Sequence, residues 1–492
     1  MTDQIVDVET TGTGRIRPRD RRRTTGAAAT VVFALVSLVV GTLFVLVNPP
    51  FWGNDGLSQY ARAFQISHGQ LLPQQIEWGG KGDSYGGEIP SSVWGLYGHA
   101  ATDLGANPDE PGRWILEPEE YERLGGERYA DPQRNLIWFS NTAAYSPVPY
   151  IPAVSASWIA EGANLSVTSA LRLMALFSLF AYIVPVAGAL WVLRRSKMRW
   201  LFLGLALLPP ALLQSATITA DAFTNGLAFL FTALLAKTML EKQGLGRVET
   251  TLLYLSAIAL PLGKPSYLLL AALLAFASVR RLRGRAWLKW GSLAVSAVAW
   301  TAWFLATRGI GDVLAFYRSD YETREFGTTP MILHTLGDPL GFLGNVARTF
   351  VYRDNFFFLD LIGSSNVRVP SSAMLVAVIG VVLAIGWLPR FSVGRRTRWG
   401  WVAVSVISVL GLFGTLYVTF TPVGFYLIDG VQGRYFFPLW PLLALTIALF
   451  FPLRWQDGPR SERVLTRTVC TIAVVTPVLA LFKFWYVVWI GA

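Results

Sequence analysis

Asp55 closes the run Pro49-Pro50-Phe51-Trp52-Gly53-Asn54-Asp55, which directly follows the first long apolar segment, and the chain then stays polar for about ninety residues. A lone carboxylate at a membrane face, beneath a sizeable loop, suits a general base that acts on a substrate delivered from the bilayer. Two cations have the chemistry to complete such a site. Arg434, at the outer end of a later apolar run, carries a guanidinium that grips phosphate bidentately and keeps its charge when partly buried. Lys264, between two short apolar runs, supplies a second positive charge. Both types also occur as snorkelling or helix-end cations. Asp221 sits in a tight turn with Thr219, Thr224 and Asn225. Buried, such an acid marks a second or acceptor-binding site or an ion pair; exposed, it is an ordinary helix N-cap.

The remaining chemistry-bearing types point less far. His68 and His99 lie in the first polar stretch and His334 far along the chain, without the spacing of a metal site, so solvated loop histidines are expected. The single cysteine, Cys470, falls inside the last apolar run, which excludes an intrachain disulfide and a Cys-based metal centre. No cofactor is called for, and a divalent cation is left open.

These residues must be held by membrane-embedded helices. With 53% apolar and 15% charged residues and a mean hydropathy of +0.43, the chain reads as an all-α integral membrane protein. About eleven spans are expected: Ala27 to Asn48, Thr168 to Leu193, Leu201 to Ile218, Ala222 to Leu240, Thr251 to Gly263, Pro265 to Val279, Trp287 to Thr307, Ser372 to Leu388, Trp399 to Phe420, Phe436 to Leu453 and Thr468 to Ile490. Alternate connections hold 26 of the 42 cations but 8 of the 31 acids, giving one side +18 and the other −7. By the cation rule the N-terminus is cytoplasmic and the C-terminus extracytoplasmic. Cations at inner span ends face anionic headgroups, so the net charge of +11 does not signal nucleic acid. Residues 1–26 read as a disordered basic cytoplasmic tail and 27–492 as the polytopic membrane domain, retained in the mature protein.

Two outer segments break the simple pattern. Residues 145–160 start with three prolines within eight residues and are too short to span, so a juxtamembrane helix is expected there. The loop over 309–371 interleaves Arg348, Arg353, Asp354 and Asp360 with phenylalanines, the pattern of a surface helix or lid. The first outer loop, 49–145, combines acids with Trp and Tyr, which fits either a sugar site or ordinary interfacial composition. No internal repeat is visible.

Five stretches carry a resemblance: Asn54-Asp55 through Arg62 to Gly69, Tyr145-Ser146-Pro147 through Pro152, Thr219-Ala220-Asp221 through Gly226, Gly263-Lys264-Pro265-Ser266-Tyr267, and Gly430-Val431-Gln432-Gly433-Arg434-Tyr435 through Pro438. In this order they resemble a family of bacterial membrane proteins known only as a domain of unknown function, which in turn resembles the GT-C glycosyltransferases in topology. The resemblance implies a large extracytoplasmic first loop and transfer of a sugar from a polyprenyl-phosphate donor to an envelope glycan or lipid acceptor, at the outer face of a bacterial plasma membrane. It implies Asp55 as the base, with Arg434, Lys264, Asp221, Arg62, Gln432 and Tyr435 on substrate or phosphate. Gly56 and Gln59 stand where an acid and a histidine are expected, which speaks against a paired-carboxylate or Asp/His metal arrangement. A transporter or flippase of lipid-linked saccharides is the alternative from another class, but it should show mid-membrane charges and repeats. A non-catalytic scaffold is a third.

Overall fold

The structure, a computed structural model, describes residues 19–77, 83–106, 114–115, 117–283, 285–310, 327–352, 369–451 and 458–491. Residues 1–18 of the expected tail, and 311–326 and 353–368 of the expected outer loop, lie outside the described residues.

α1 (Arg19–Val47) ends in a turn where Phe51 and Asp55 both take left-handed backbone conformations, with φ of 66° and 56°. α2 (Gly56–Ser67) starts at once, because Gly56 has no Cβ to collide with the Phe51 carbonyl oxygen. An antiparallel sheet of β1 (Gln74–Glu77), β2 (Asp83–Pro90) and β3 (Arg134–Trp138) follows, with α3 (Ser91–Ala106) and α4 (Pro118–Gly125) between its last two strands. Sequence reading did not anticipate these strands. Gly86 lies opposite Gln74 on one side and Trp138 on the other. α5 (Ser140–Ala143) leaves β3 directly, pinned by Ser140 Oγ, which accepts from the Tyr85 amide at 2.9 Å. α6 (Ile151–Gly162), twelve residues long, covers roughly 18 Å, too little for a bilayer.

The bundle is built next. α7 (Val167–Val192) is capped by Ser166, whose hydroxyl accepts from the Ser169 amide. α8 (Met198–Ala206) and α9 (Pro209–Ser215) meet at a 60° bend, where Pro209 and Pro210 interrupt the backbone ladder. α10 (Ala220–Met239) is buried along most of its length and forms the centre of the molecule. α11 (Arg247–Gly263) packs beside it and runs into a mixed helical segment, Pro265–Phe276, that contains α12 (Leu268–Ala271). α13 (Ala286–Ala306), α14 (Thr328–Gly337), α15 (Pro339–Tyr352), α16 (Ser371–Gly386), α17 (Arg395–Phe420), α18 (Trp440–Phe450) and α19 (Pro459–Trp485) complete the chain.

Each of the eleven expected apolar runs is mainly helical, but the number able to cross a bilayer on length and apolarity is smaller. Six qualify among the described residues: Gly26–Val47, Val167–Val192, Ala220–Met239, Arg395–Phe420, Gly433–Phe450 and Arg460–Ile490. The bent pair α8 and α9 makes a seventh if counted as one span, while Pro265–Phe276 and Ser371–Gly386 are apolar but short. The end of the last helix returns to the first loop: Trp489 Nε1 donates to the Val47 carbonyl at 2.6 Å and the Ile115 amide to the Val488 carbonyl at 3.0 Å.

Candidate functional site

The turn after α1 aims Asp55 at two donors. Asn141 Nδ2, on α5, donates to Asp55 Oδ1 at 3.1 Å, and Arg434 Nη2 donates to Asp55 Oδ2 at 2.5 Å. Burial pushes the Asp55 carboxyl up, but the Arg434 charge and hydrogen bond, joined by Asn141 and Lys264, outweigh it and hold the carboxyl below its ordinary value. It is therefore ionised at neutral pH.

Behind Asp55 the charges alternate. Arg434 Nε lies 3.9 Å from Asp221 Oδ2, Asp221 Oδ1 pairs with Lys264 Nζ, and Gln214 Nε2 donates to Asp221 Oδ2 at 2.8 Å. Asp221 is no N-cap, since Thr219 takes that role, its hydroxyl accepting from the Asp221 amide at 3.1 Å. Of the two alternatives open for Asp221, the structure selects the buried ion pair. Gly263 makes the pairing reachable: a Cβ there would fall 2.5 Å from Thr224 Oγ1, so only glycine lets the end of α11 approach α10. Lys264 Nζ also sits 4.1 Å from the centre of the Tyr435 ring.

A cavity of about 620 Å³ opens in front of Asp55. Asp55, Asn141, Tyr145, Lys264, Tyr267, Gln432 and Tyr435 line its polar part. Trp300, Trp303 and Phe304 of α13, Ile332 of α14 and Leu412, Leu416, Val418 and Phe420 of α17 line much of the rest, with Thr415 and Thr419 among them, so one cavity joins charged groups to a largely apolar lining. Arg308 completes the rim; it is exposed and, among the described residues, makes no ion pair. Trp303 fixes α13 here by donating to the Ala144 carbonyl at 2.8 Å.

Four expected residues thus meet the cavity: Asp55, Lys264, Gln432 and Tyr435. Two others require correction. The Arg434 side chain is 2% exposed and turned to the two carboxylates, because a buried guanidinium needs countercharge, so it supports the site from behind rather than facing a phosphate. Arg62, wholly buried and not part of the cavity lining, donates to the Tyr145 and Leu71 carbonyls and to Gln65 Oε1, which fixes the backbone of Tyr145 and holds the guanidinium away from the cavity. Gln59 is structural as well, accepting from Tyr150 Oη at 2.6 Å and from the Ala220 amide at 3.2 Å. Asn141, Tyr145, Tyr267, Trp303 and Arg308 were not singled out as site residues, although Tyr145 and Tyr267 stand within the resembling stretches. Among the described residues no group of three or more His, Cys, Asp and Glu is placed to hold a metal ion.

All five resembling stretches converge here. Arg62 holds Tyr145, Ser146 Oγ donates to the Leu262 carbonyl at 2.6 Å, Lys264 meets Asp221, and Tyr267 Oη donates to the Tyr435 carbonyl at 2.8 Å. The fold and site together describe a helical membrane protein with a cavity between a polar loop unit and two long helices. The chain belongs to the predicted membrane protein family DUF2142, whose model matches residues 38–443 and so includes every member of the site. No curated protein and no solved structure matches the chain.

Proposed function

We propose that the protein is a GT-C-like membrane glycosyltransferase of about eleven membrane segments, placed in a bacterial plasma membrane with its N-terminus cytoplasmic and its C-terminus extracytoplasmic. It moves a sugar from a polyprenyl-phosphate donor to an envelope glycan or lipid, with inversion. The observation that carries this reading is the position of Asp55. Its side chain, 32% exposed, lines a cavity that joins charged and polar groups to a largely apolar lining. An amphipathic lipid-phosphate sugar needs both.

In the proposed reaction an acceptor hydroxyl oxygen bonds to the anomeric carbon as the bond from that carbon to the phosphate oxygen breaks. The hydroxyl proton passes to Asp55, and the electron pair leaves on the polyprenyl phosphate. No acid is needed, because phosphate is already a good leaving group. Lys264 and the exposed Arg308, both in the cavity lining, supply positive charge to the phosphate. Trp300 and Phe304 line the tail path. The test is incubation of the purified protein in nanodiscs with radiolabelled polyprenyl-phosphate sugars. Transfer with inverted configuration is expected; movement of donor across vesicles without turnover would instead establish the flippase.

A further inference from the structure

We propose that Asp55, Arg434, Asp221 and Lys264 form a chain of alternating charge through which a phosphate monoester at Lys264 frees Asp55 from Arg434, with Asp221 as the positioning residue. The inference rests on the glycosyltransferase reading for its purpose, but its coupling exists whether or not sugar is transferred.

The two ends of the chain face the cavity and the two middle members do not. Asp55 and Lys264 line the wall, while Arg434 and Asp221 lie behind it with side chains 2% and 4% exposed. Each middle member has two claimants. Asp221 gives one oxygen to Lys264 and has Arg434 Nε 3.9 Å from the other; Arg434 bonds Asp55 while its Nε and Nη1 hold no hydrogen-bond partner among the described residues. The guanidinium therefore has donors to spare at Nε, the nitrogen nearest Asp221, and at Nη1. The Tyr435 ring carries both cations on its face, Lys264 Nζ at 4.1 Å and Arg434 Cζ at 5.1 Å from the centroid.

The four charges sum to zero, so an added anion cannot be neutralised without redistribution. A phosphate beside Lys264 draws the ammonium toward the cavity and weakens its hold on Asp221. Asp221, buried and now short of positive charge, attracts the Arg434 guanidinium, for which unlike charges in a dry interior interact strongly. Closing the remaining distance to Asp221 takes Nη2 away from Asp55. The base is then freed only when a phosphate is present, which couples donor occupancy to proton abstraction.

The groups that act on Asp55 are Arg434, Lys264 and Asn141, with the Tyr150 and Tyr435 hydroxyls nearby. Those around Asp221 are Lys264, Arg434, Gln214 and Thr219, with Tyr145, Tyr150, Tyr267 and Tyr435. Among the described residues no other carboxylate is paired with either cation, so Asp221 is the link that a substitution can cut.

The test is a carbon-13 titration of the Asp55 carboxyl in the full-length protein in nanodiscs, its signal assigned with Asp55→Asn. Dodecyl phosphate and inorganic phosphate are added in separate arms, with dodecyl maltoside as the uncharged control. At least one of the phosphates should raise the Asp55 midpoint, a response to dodecyl phosphate alone identifying a lipid-borne anion and a response to inorganic phosphate a free one, and dodecyl maltoside should not. In Asp221→Asn the shift should be lost. An equal shift in that variant, showing direct repulsion by the anion, or no shift in the wild type, overturns the inference. Should Asp221→Asn fail to fold, Lys264→Gln serves. Arg434 should then already rest on Asp221, giving a midpoint that is raised without anion and unresponsive to it, whereas a wild-type midpoint overturns the coupling. Since none of these readouts uses sugar transfer, a coupled but inactive protein refutes the functional reading alone.

Discussion

Arg434 donates to Asp55 at 2.5 Å across 379 positions of sequence, joining the first loop to the start of the penultimate long helix. The contact does two things. It joins two segments that line the cavity and keeps the carboxylate ionised.

The ionisation has a pH consequence whose sign follows from the depressed carboxyl. Asp55 contributes stability that is fully present above its unfolded value of about 3.9 and is lost as the pH falls through its lower folded value. Arg434→Ala leaves the upward push of burial unopposed by the guanidinium. The acid limb of the rate profile, and of the thermal midpoint measured between about pH 3 and 7, should therefore move to higher pH in the variant. An unmoved limb would show that Arg434 does not set the Asp55 charge.

Gly56→Ala tests the turn that aims Asp55. The added Cβ meets the Phe51 carbonyl oxygen, so the left-handed turn must open, at a cost of about 1–3 kcal/mol. A lowered melting temperature in detergent is expected, together with reduced activity; unchanged values would mean that the turn adapts freely. The same contact explains why the acid expected at this position is glycine here.

Gln59→Leu removes the acceptor shared by Tyr150 Oη and the Ala220 amide. Both donors are left buried without that partner, which costs about 1–3 kcal/mol. The loss should appear as faster amide exchange at the first turn of α10, the element that carries Asp221.

Arg308→Ala should leave the melting temperature unchanged, because the side chain is exposed and makes no ion pair among the described residues. If the rim captures the donor phosphate, KM for the donor should rise about tenfold, a loss of about 1.4 kcal/mol, with kcat retained. A KM that stays constant would assign the phosphate to Lys264 alone.

Much of this arrangement was legible in the sequence, for reasons that particular residues make plain. Apolar runs of span length gave the helices, and Asp55 stood out because its type and position had no alternative acid nearby. The direction of Arg434 was not readable, since two carboxylates distant in sequence decide it. Asn141 was hidden for another reason: it reaches Asp55 from a four-residue helix placed by β2, whose Asp-Ser-Tyr-Gly-Gly-Glu-Ile-Pro run has no alternating apolar pattern. Arg62 looked like a ligand cation because backbone carbonyls, its real partners, leave no mark in sequence. Arg308 follows an apolar helix and by type and position resembles any helix-end cation.

The central claim concerns Asp55, and the most direct measurement compares wild type with Asp55→Asn for donor binding and single-turnover sugar transfer in nanodiscs. Asparagine tolerates the left-handed backbone at φ 56° and keeps one side-chain oxygen, which can accept from Arg434 while the contact to Asn141 is given up, so folding of the variant is checked first by its melting temperature. Transfer should fall by about 10²–10⁴-fold while the donor still binds. Full transfer by a folded Asp55→Asn variant would contradict the assignment of Asp55 as the base.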